Sequence, residues 1–129
     1  MNFPKTLRYA KTHEWARRGD GVVVAGLSEY AQKELSDVVY VELPAIGKEV
    51  KQGQPCAVVE SVKAAFDVYA PVSGKVVKVN KTLEANPSLV NTDSYGEGWF
   101  LEIEPSQTGE WDSLLDAGTY ESVLQESAH

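Results

Sequence analysis

The chain has 129 residues, 43% of them hydrophobic, and a formal net charge of -7; it is long enough to bury one core and short for two, so a single domain over 1–129 is expected. So acidic a surface repels backbone phosphates, which excludes general nucleic-acid binding and calls for partners with basic patches. No apolar run is long enough to span a bilayer, no secretory signal opens the chain, and the one cysteine, Cys56, allows no internal disulfide, so a reducing aqueous compartment away from membranes is expected; a monomer is the expected state, although nothing in the sequence speaks to self-association.

In chain order, the turn Arg18-Gly19-Asp20-Gly21 leads into the strand-like run Val22–Ala25. Ser28 is placed to cap a short helix from Glu29 to Leu35, with Leu27, Tyr30, Ala31 and Leu35 near one face. Strands are then predicted at Val38–Leu43, Ala57–Val59, Phe66–Ala70, Val76–Val79 and Trp99–Ile103, all rich in β-branched or aromatic residues. Between them lie the turn-forming strings Pro44–Gly47, Lys51–Gly53, Pro71–Gly74 and Tyr95–Gly98. Asn86 and Pro87 read as the N-cap and first position of a single helical turn through Val90. Trp111, Leu114 and Leu115 have helical spacing, and Thr119 is placed to cap a last helix that buries Tyr120, Val123 and Leu124. Short strands at this spacing define an all-β sandwich or barrel with a few short helices. Gly47-Lys48-Glu49-Val50 faintly echoes Gly74-Lys75-Val76-Val77, each string following a proline-containing turn.

Several residues that could carry chemistry have a plainer reading. Cys56, between Pro55 and Ala57, reads as a small buried hydrophobe. His13 and His129 are the only histidines and share no metal-ligand spacing with each other or with Cys56. Gly96-Glu97-Gly98 lacks the lysine of a phosphate cradle and reads as a turn. Trp15, Trp99 and Trp111 read as core, and Lys48, Lys51, Lys75, Lys78 and Lys81 as solvated faces.

The informative stretch is Pro55 to Lys78. Between the run ending at Val59 and the strand opening at Phe66 stand Glu60-Ser61-Val62-Lys63-Ala64-Ala65, too few for a long loop, so a hairpin tip is expected with Lys63 on it. Alternation in the outgoing strand places Phe66, Val68 and Ala70 inward and Asp67 and Tyr69 outward. An exposed lysine with small neighbours on a stiff finger can enter a foreign active site while its own backbone stays still.

The string Val59-Glu60-Ser61-Val62-Lys63-Ala64-Ala65-Phe66-Asp67-Val68-Tyr69-Ala70-Pro71-Val72-Ser73-Gly74 resembles the lipoylation segment of the glycine cleavage system H proteins, in which the lysine after Glu-Ser-Val is modified. The resemblance extends to Tyr9, His13-Glu14-Trp15, Gly26–Ala31, Asp37–Pro44 and Tyr95–Trp99. Phe66 departs from it, standing where the family more usually has a small polar residue. The resemblance implies a barrel-sandwich hybrid, a flattened barrel of two sheets with lipoic acid in amide linkage to Lys63. It also implies a carrier that catalyses nothing itself. Its lipoyl arm takes an aminomethyl group from a pyridoxal-phosphate glycine decarboxylase, presents it to a tetrahydrofolate-dependent aminomethyltransferase, and is reoxidised by dihydrolipoamide dehydrogenase. Glu60 is then the residue read by the lipoylating enzyme, and Glu14 and Asp67 are the carboxylates expected to hold the amine of the loaded arm in a cleft. The compartment implied is the bacterial cytoplasm, or the mitochondrial matrix if the source is eukaryotic; Met1 lying so close to the first family motif favours the former.

Three other readings use the same lysine, two of them carriers and one an enzyme. A biotin carrier has methionines flanking it, where Val62 and Ala64 stand here, and a lipoyl domain of a 2-oxoacid dehydrogenase has an aspartate just before it. An enzyme forming a Schiff base needs a desolvated lysine, which an exposed tip does not supply.

Overall fold

Among the residues that the computed structural model describes, 1–127, nine strands pair antiparallel in two sheets. β1 (Arg8–Tyr9), β2 (Glu14–Arg18), β3 (Val23–Leu27), β9 (Leu101–Pro105), β8 (Gly74–Val79) and β5 (Glu49–Val50) form one sheet in that spatial order; β4 (Val38–Glu42), β6 (Pro55–Ser61) and β7 (Ala65–Tyr69) form the other. The expected two-sheet, mainly β architecture is the one observed. β1, β2 and β5 were not legible as strands, because two are only two residues long and β2 mixes Glu14, Arg17 and Arg18 with Trp15 and Ala16.

The main core lies between the sheets, where Val41, Val59, Val68, Val76, Leu101 and Ile103 are almost fully buried. A second cluster, built on Tyr9, Trp15 and Tyr120, ties the N-terminal strands to the C-terminal helix. Tyr9 and Tyr120 stack with centroids 4.6 Å apart, and Phe3 meets Tyr120 edge-on at 5.3 Å. Gly26 lies under the Trp15 ring, which a Cβ there would meet at 2.7 Å, so the indole fits only over a residue without a side chain. The two echoing strings also find each other: Glu49 pairs with Lys75 and Val50 with Gly74, and the Gly47 amide donates to the Val76 carbonyl at 2.7 Å.

The helix α1 (Glu29–Leu35) has the expected bounds, and the Ser28 hydroxyl accepts from the Ala31 amide at 3.2 Å. Three other helical expectations shift. Asn86 closes a helix, α2 (Thr82–Ala85), and the next, α3 (Leu89–Thr92), starts after Ser88; Pro87 serves the turn between them. α4 (Glu110–Ser113) holds Trp111 but not Leu115, whose amide and carbonyl both bond Tyr9 at 2.8 Å. α5 (Ala117–Ser127) begins before Thr119, because the Asp116 carboxylate accepts from the Thr119 amide at 2.8 Å and takes the capping role. Trp15 is fully buried as expected, whereas Trp99 and Trp111 are half-buried beneath cations, Lys78 and Arg18 respectively. Cys56 is buried and its thiol is pushed up to about 12 by desolvation, as befits an inert hydrophobe. Tyr95–Gly98 is a turn, with the Asp93 carboxylate accepting from the Glu97 amide. His129 lies outside the described residues.

Candidate functional site

β6 and β7 form a hairpin with Glu60 opposite Ala65, leaving Val62, Lys63 and Ala64 as its tip. The backbone there is held by Ser61, which is buried and whose hydroxyl accepts from the amides of Lys63 at 3.1 Å and Ala64 at 3.4 Å. The Ser61 amide closes the turn onto the Ala64 carbonyl at 2.9 Å, and the Val62 amide reaches across to the Asp37 carbonyl at 3.0 Å. The backbone of the tip is thus fixed while every side chain from Val62 to Asp67 is exposed. Among the described residues, the Lys63 ammonium makes one long hydrogen bond, 3.4 Å to the carbonyl of Glu34 near the end of α1.

A cleft of about 660 Å³ opens beside this lysine, between the hairpin, α1 and the turn that precedes β2. Its walls include Leu27, Ala31, Leu35, Val59 and Phe66, and its polar groups include Thr12, Glu14, Glu34 and Asp67. Glu14 lies at the start of β2, only 1% exposed. Its carboxylate accepts from the Thr12 hydroxyl in a short contact and from the Tyr69 amide at 3.0 Å. Burial pushes this carboxyl up to about 7, against the opposing pull of those hydrogen bonds. Asp67 is exposed on the edge strand β7 and reaches the cleft's rim. Glu60 is exposed and points away from the core, opposite Tyr40 of β4.

The turn that presents Glu14 is strained in one place. His13 has φ 83, in the left-handed region that non-glycine residues rarely adopt, and three bonds hold it there. Its amide donates to Ala10, its carbonyl accepts from Ser28, and its Nδ1 lies 2.8 Å from the Tyr120 hydroxyl. That hydroxyl also meets the Ser28 hydroxyl at 2.8 Å. Burial lowers the imidazole's affinity for a proton, with the Glu34 charge opposing.

Phe66 departs from expectation. It has the inward parity of Val59 and Val68, yet is 41% exposed, because the hairpin projects past the end of the core and the inner face there borders the cleft. The α1 wall of the cleft was missed in the sequence, although the Ser28 cap sets Tyr30, Ala31, Glu34 and Leu35 at helical spacing on one side. Thr12 gave no signal, since its part depends on the turn at His13.

Taken together, a flattened two-sheet barrel that presents one exposed lysine on a rigid hairpin defines a carrier scaffold of the lipoyl and biotinyl kind. Comparison with known proteins narrows this further. The family model for the glycine cleavage H-protein matches residues 7–127. The glycine cleavage system H protein of Shewanella loihica is 56% identical over 97% of this chain and 98% of its own, and that of Thermus thermophilus 53% identical over 99% and 100%. The crystal structure of a glycine cleavage system H protein from Mycobacterium marinum superposes with a TM-score of 0.86 at 36% identity, covering 93% of this chain and 97% of that one. The chain belongs to the glycine cleavage H-protein family. It is accordingly a lipoyl carrier component of the glycine cleavage system, working with the other components of that system and not itself catalytic.

Proposed function

We propose that Lys63 is the acylated residue and that the cleft beside it shelters the lipoyl arm. The observation that carries this reading is the pairing of a fixed tip backbone with an exposed amine at the mouth of that cleft. The walls fit the group: apolar side chains suit a hydrocarbon arm, and Glu14 supplies a buried carboxylate at the polar end. In the acylation step the Nζ of Lys63 forms an amide with the activated carboxyl of lipoic acid, losing a proton while the activating group departs. Once attached, the dithiolane supplies the transfer of a one-carbon amine and of two electrons, chemistry that is the cofactor's own.

The protein's residues position and shelter. Ser61 keeps the tip in one conformation. Leu27, Leu35 and Phe66 exclude water from the arm, and Glu14 and Asp67 attract its cationic amine when it is loaded. The donors and acceptors served are a pyridoxal-phosphate glycine decarboxylase, a tetrahydrofolate-dependent aminomethyltransferase and dihydrolipoamide dehydrogenase; a lipoylating enzyme reads Glu60. The chain acts as one carrier domain in the bacterial cytoplasm, a setting supported by the bacterial relatives. Tethering makes these steps depend on docking one macromolecule and not on diffusion of a labile intermediate.

Mass spectrometry of protein purified from cells able to make lipoate tests the assignment. A single lipoyl increment on the peptide that contains Lys63, absent from Lys63→Arg, is the expected result; a biotinyl increment or modification elsewhere overturns it. Replacing Glu14 with Gln and Asp67 with Asn together should hasten methylamine loss from the loaded protein, and an unchanged rate removes these two residues from the cleft's role.

A further inference from the structure

The two sheets differ in charge. β4, β6 and β7 carry Glu42, Glu60 and Asp67 and no basic residue, whereas the larger sheet is mixed, with Arg8, Arg17, Arg18, Lys75 and Lys78 beside Glu14, Glu49, Glu102 and Glu104. Register places the three acids on one surface: Tyr40, Glu60 and Ala65 form one row across the small sheet, and Glu42, Val58 and Asp67 the next. Lys48, from the turn before β5, borders the far end of this sheet beside Glu42, Pro55, Cys56 and Asp67, so the acid nearest the tip and clear of that lysine is Glu60.

The same region is unusually apolar. A bulge between Val38 and Tyr40 breaks the alternation of β4, so that two successive large side chains, Val39 at 56% and Tyr40 at 47% exposure, both face solvent. Val62 on the tip is 65% exposed. Of the six large hydrophobic residues that are exposed among the described ones, four (Val39, Tyr40, Val62 and Phe66) lie on this sheet or its hairpin. An aromatic anchor with apolar neighbours inside an acidic rim has the composition of a protein-docking patch, in which the apolar centre supplies affinity and the charged rim steers encounter.

We propose that the surface centred on Tyr40 is where the lipoylating enzyme docks, through an apolar contact on Tyr40, Val39 and Val62 ringed by basic residues facing Glu42 and Glu60. This rests on Lys63 being the acylated residue. Reach favours that occupant over the other partners. The enzyme that acylates Nζ is separated from the tip only by a lysine side chain, so its surface must cover the residues around the tip. Enzymes acting on the far end of the lipoyl arm work at greater distance.

The test uses the unmodified full chain, a purified lipoate ligase, lipoic acid and ATP, with acylation followed by mass and affinity by calorimetry. Tyr40→Ala should raise KM about tenfold with kcat little changed and weaken binding by a similar factor, as loss of an aromatic anchor does. Tyr40→Phe should restore both. Wild-type kcat/KM should fall as salt rises, and Glu42→Gln with Glu60→Gln should lose most of that dependence. Ile46→Ala, an exposed apolar residue elsewhere, is the control and should change nothing. Wild-type KM and affinity in folded Tyr40→Ala would overturn the docking surface while leaving Lys63 as the acceptor. Failure of the wild type to be acylated at all, or acylation persisting in Lys63→Arg, would instead overturn the lysine assignment and the docking surface with it.

Discussion

The hairpin tip and the aromatic cluster use opposite strategies for holding a residue in place. At the tip, Ser61 and Asp37 fix the backbone, and the side chains from Val62 to Asp67 are left free of the core. In the cluster, Tyr9, Trp15 and Tyr120 are fully buried, and their polar ends are bonded to Pro4, Ser94, His13 and Ser28. The first arrangement leaves a side chain available to an outside enzyme; the second spends side chains on fixing a turn. The two meet at the cleft, where the Tyr120 hydroxyl holds His13 and so sets the position of Glu14 facing the hairpin.

The comparison breaks most visibly from the cluster side. Tyr120→Ala removes the stacked ring and two hydrogen bonds and should cost about 3–5 kcal/mol, as deletion of a buried aromatic does, read as a loss of denaturant midpoint. Acylation of the fraction still folded should keep its wild-type KM, because the tip's bonds do not involve the cluster; a matching rise in KM would show that the two regions are one mechanical unit.

Glu14 lies between the regions and sharpens the contrast through pH. Its carboxyl titrates near 7 when folded against a reference of 4.5, so the folded state holds a proton that the unfolded state has given up. The associated stability is fully present below about pH 4.5 and is lost as pH rises through 7. Glu14→Gln should remove that slope and stand about 3 kcal/mol above the wild type at pH 8 relative to their difference at pH 4, given about 1.4 kcal/mol per pKa unit. Parallel stability curves would refute the assignment of this slope to Glu14.

At the tip itself, Ser61→Ala takes away the acceptor for two amides and should cost about 1–2 kcal/mol. Its larger signature should be slower acylation, since a tip that samples several conformations presents Lys63 less often. An unchanged acylation rate would mean that the strand pairing alone holds the finger. The smallest effect belongs to Cys56, whose thiol is buried and held largely protonated at neutral pH. Alkylating reagents at pH 8 should leave it unmodified in the native protein and react only on unfolding.

The sequence by itself determined the class of fold, the hairpin and the lysine on it, because β-branched runs, turn residues and a six-residue gap between strands are local signals that tertiary packing had no reason to override. It also contained α1, since an N-cap serine followed by a helical apolar face is local too. Only the tertiary structure decided what the cleft is. Glu14 became a buried carboxylate through a left-handed turn pinned by Tyr120, 107 residues away from His13 in sequence, and Phe66 became a cleft wall because its strand outruns the core. The bulge that leaves Val39 facing solvent beside Tyr40 likewise depends on pairing between β4 and β6. Local chemistry is written residue by residue, whereas burial and the shift in a carboxyl's proton affinity depend on which distant segments come to surround it.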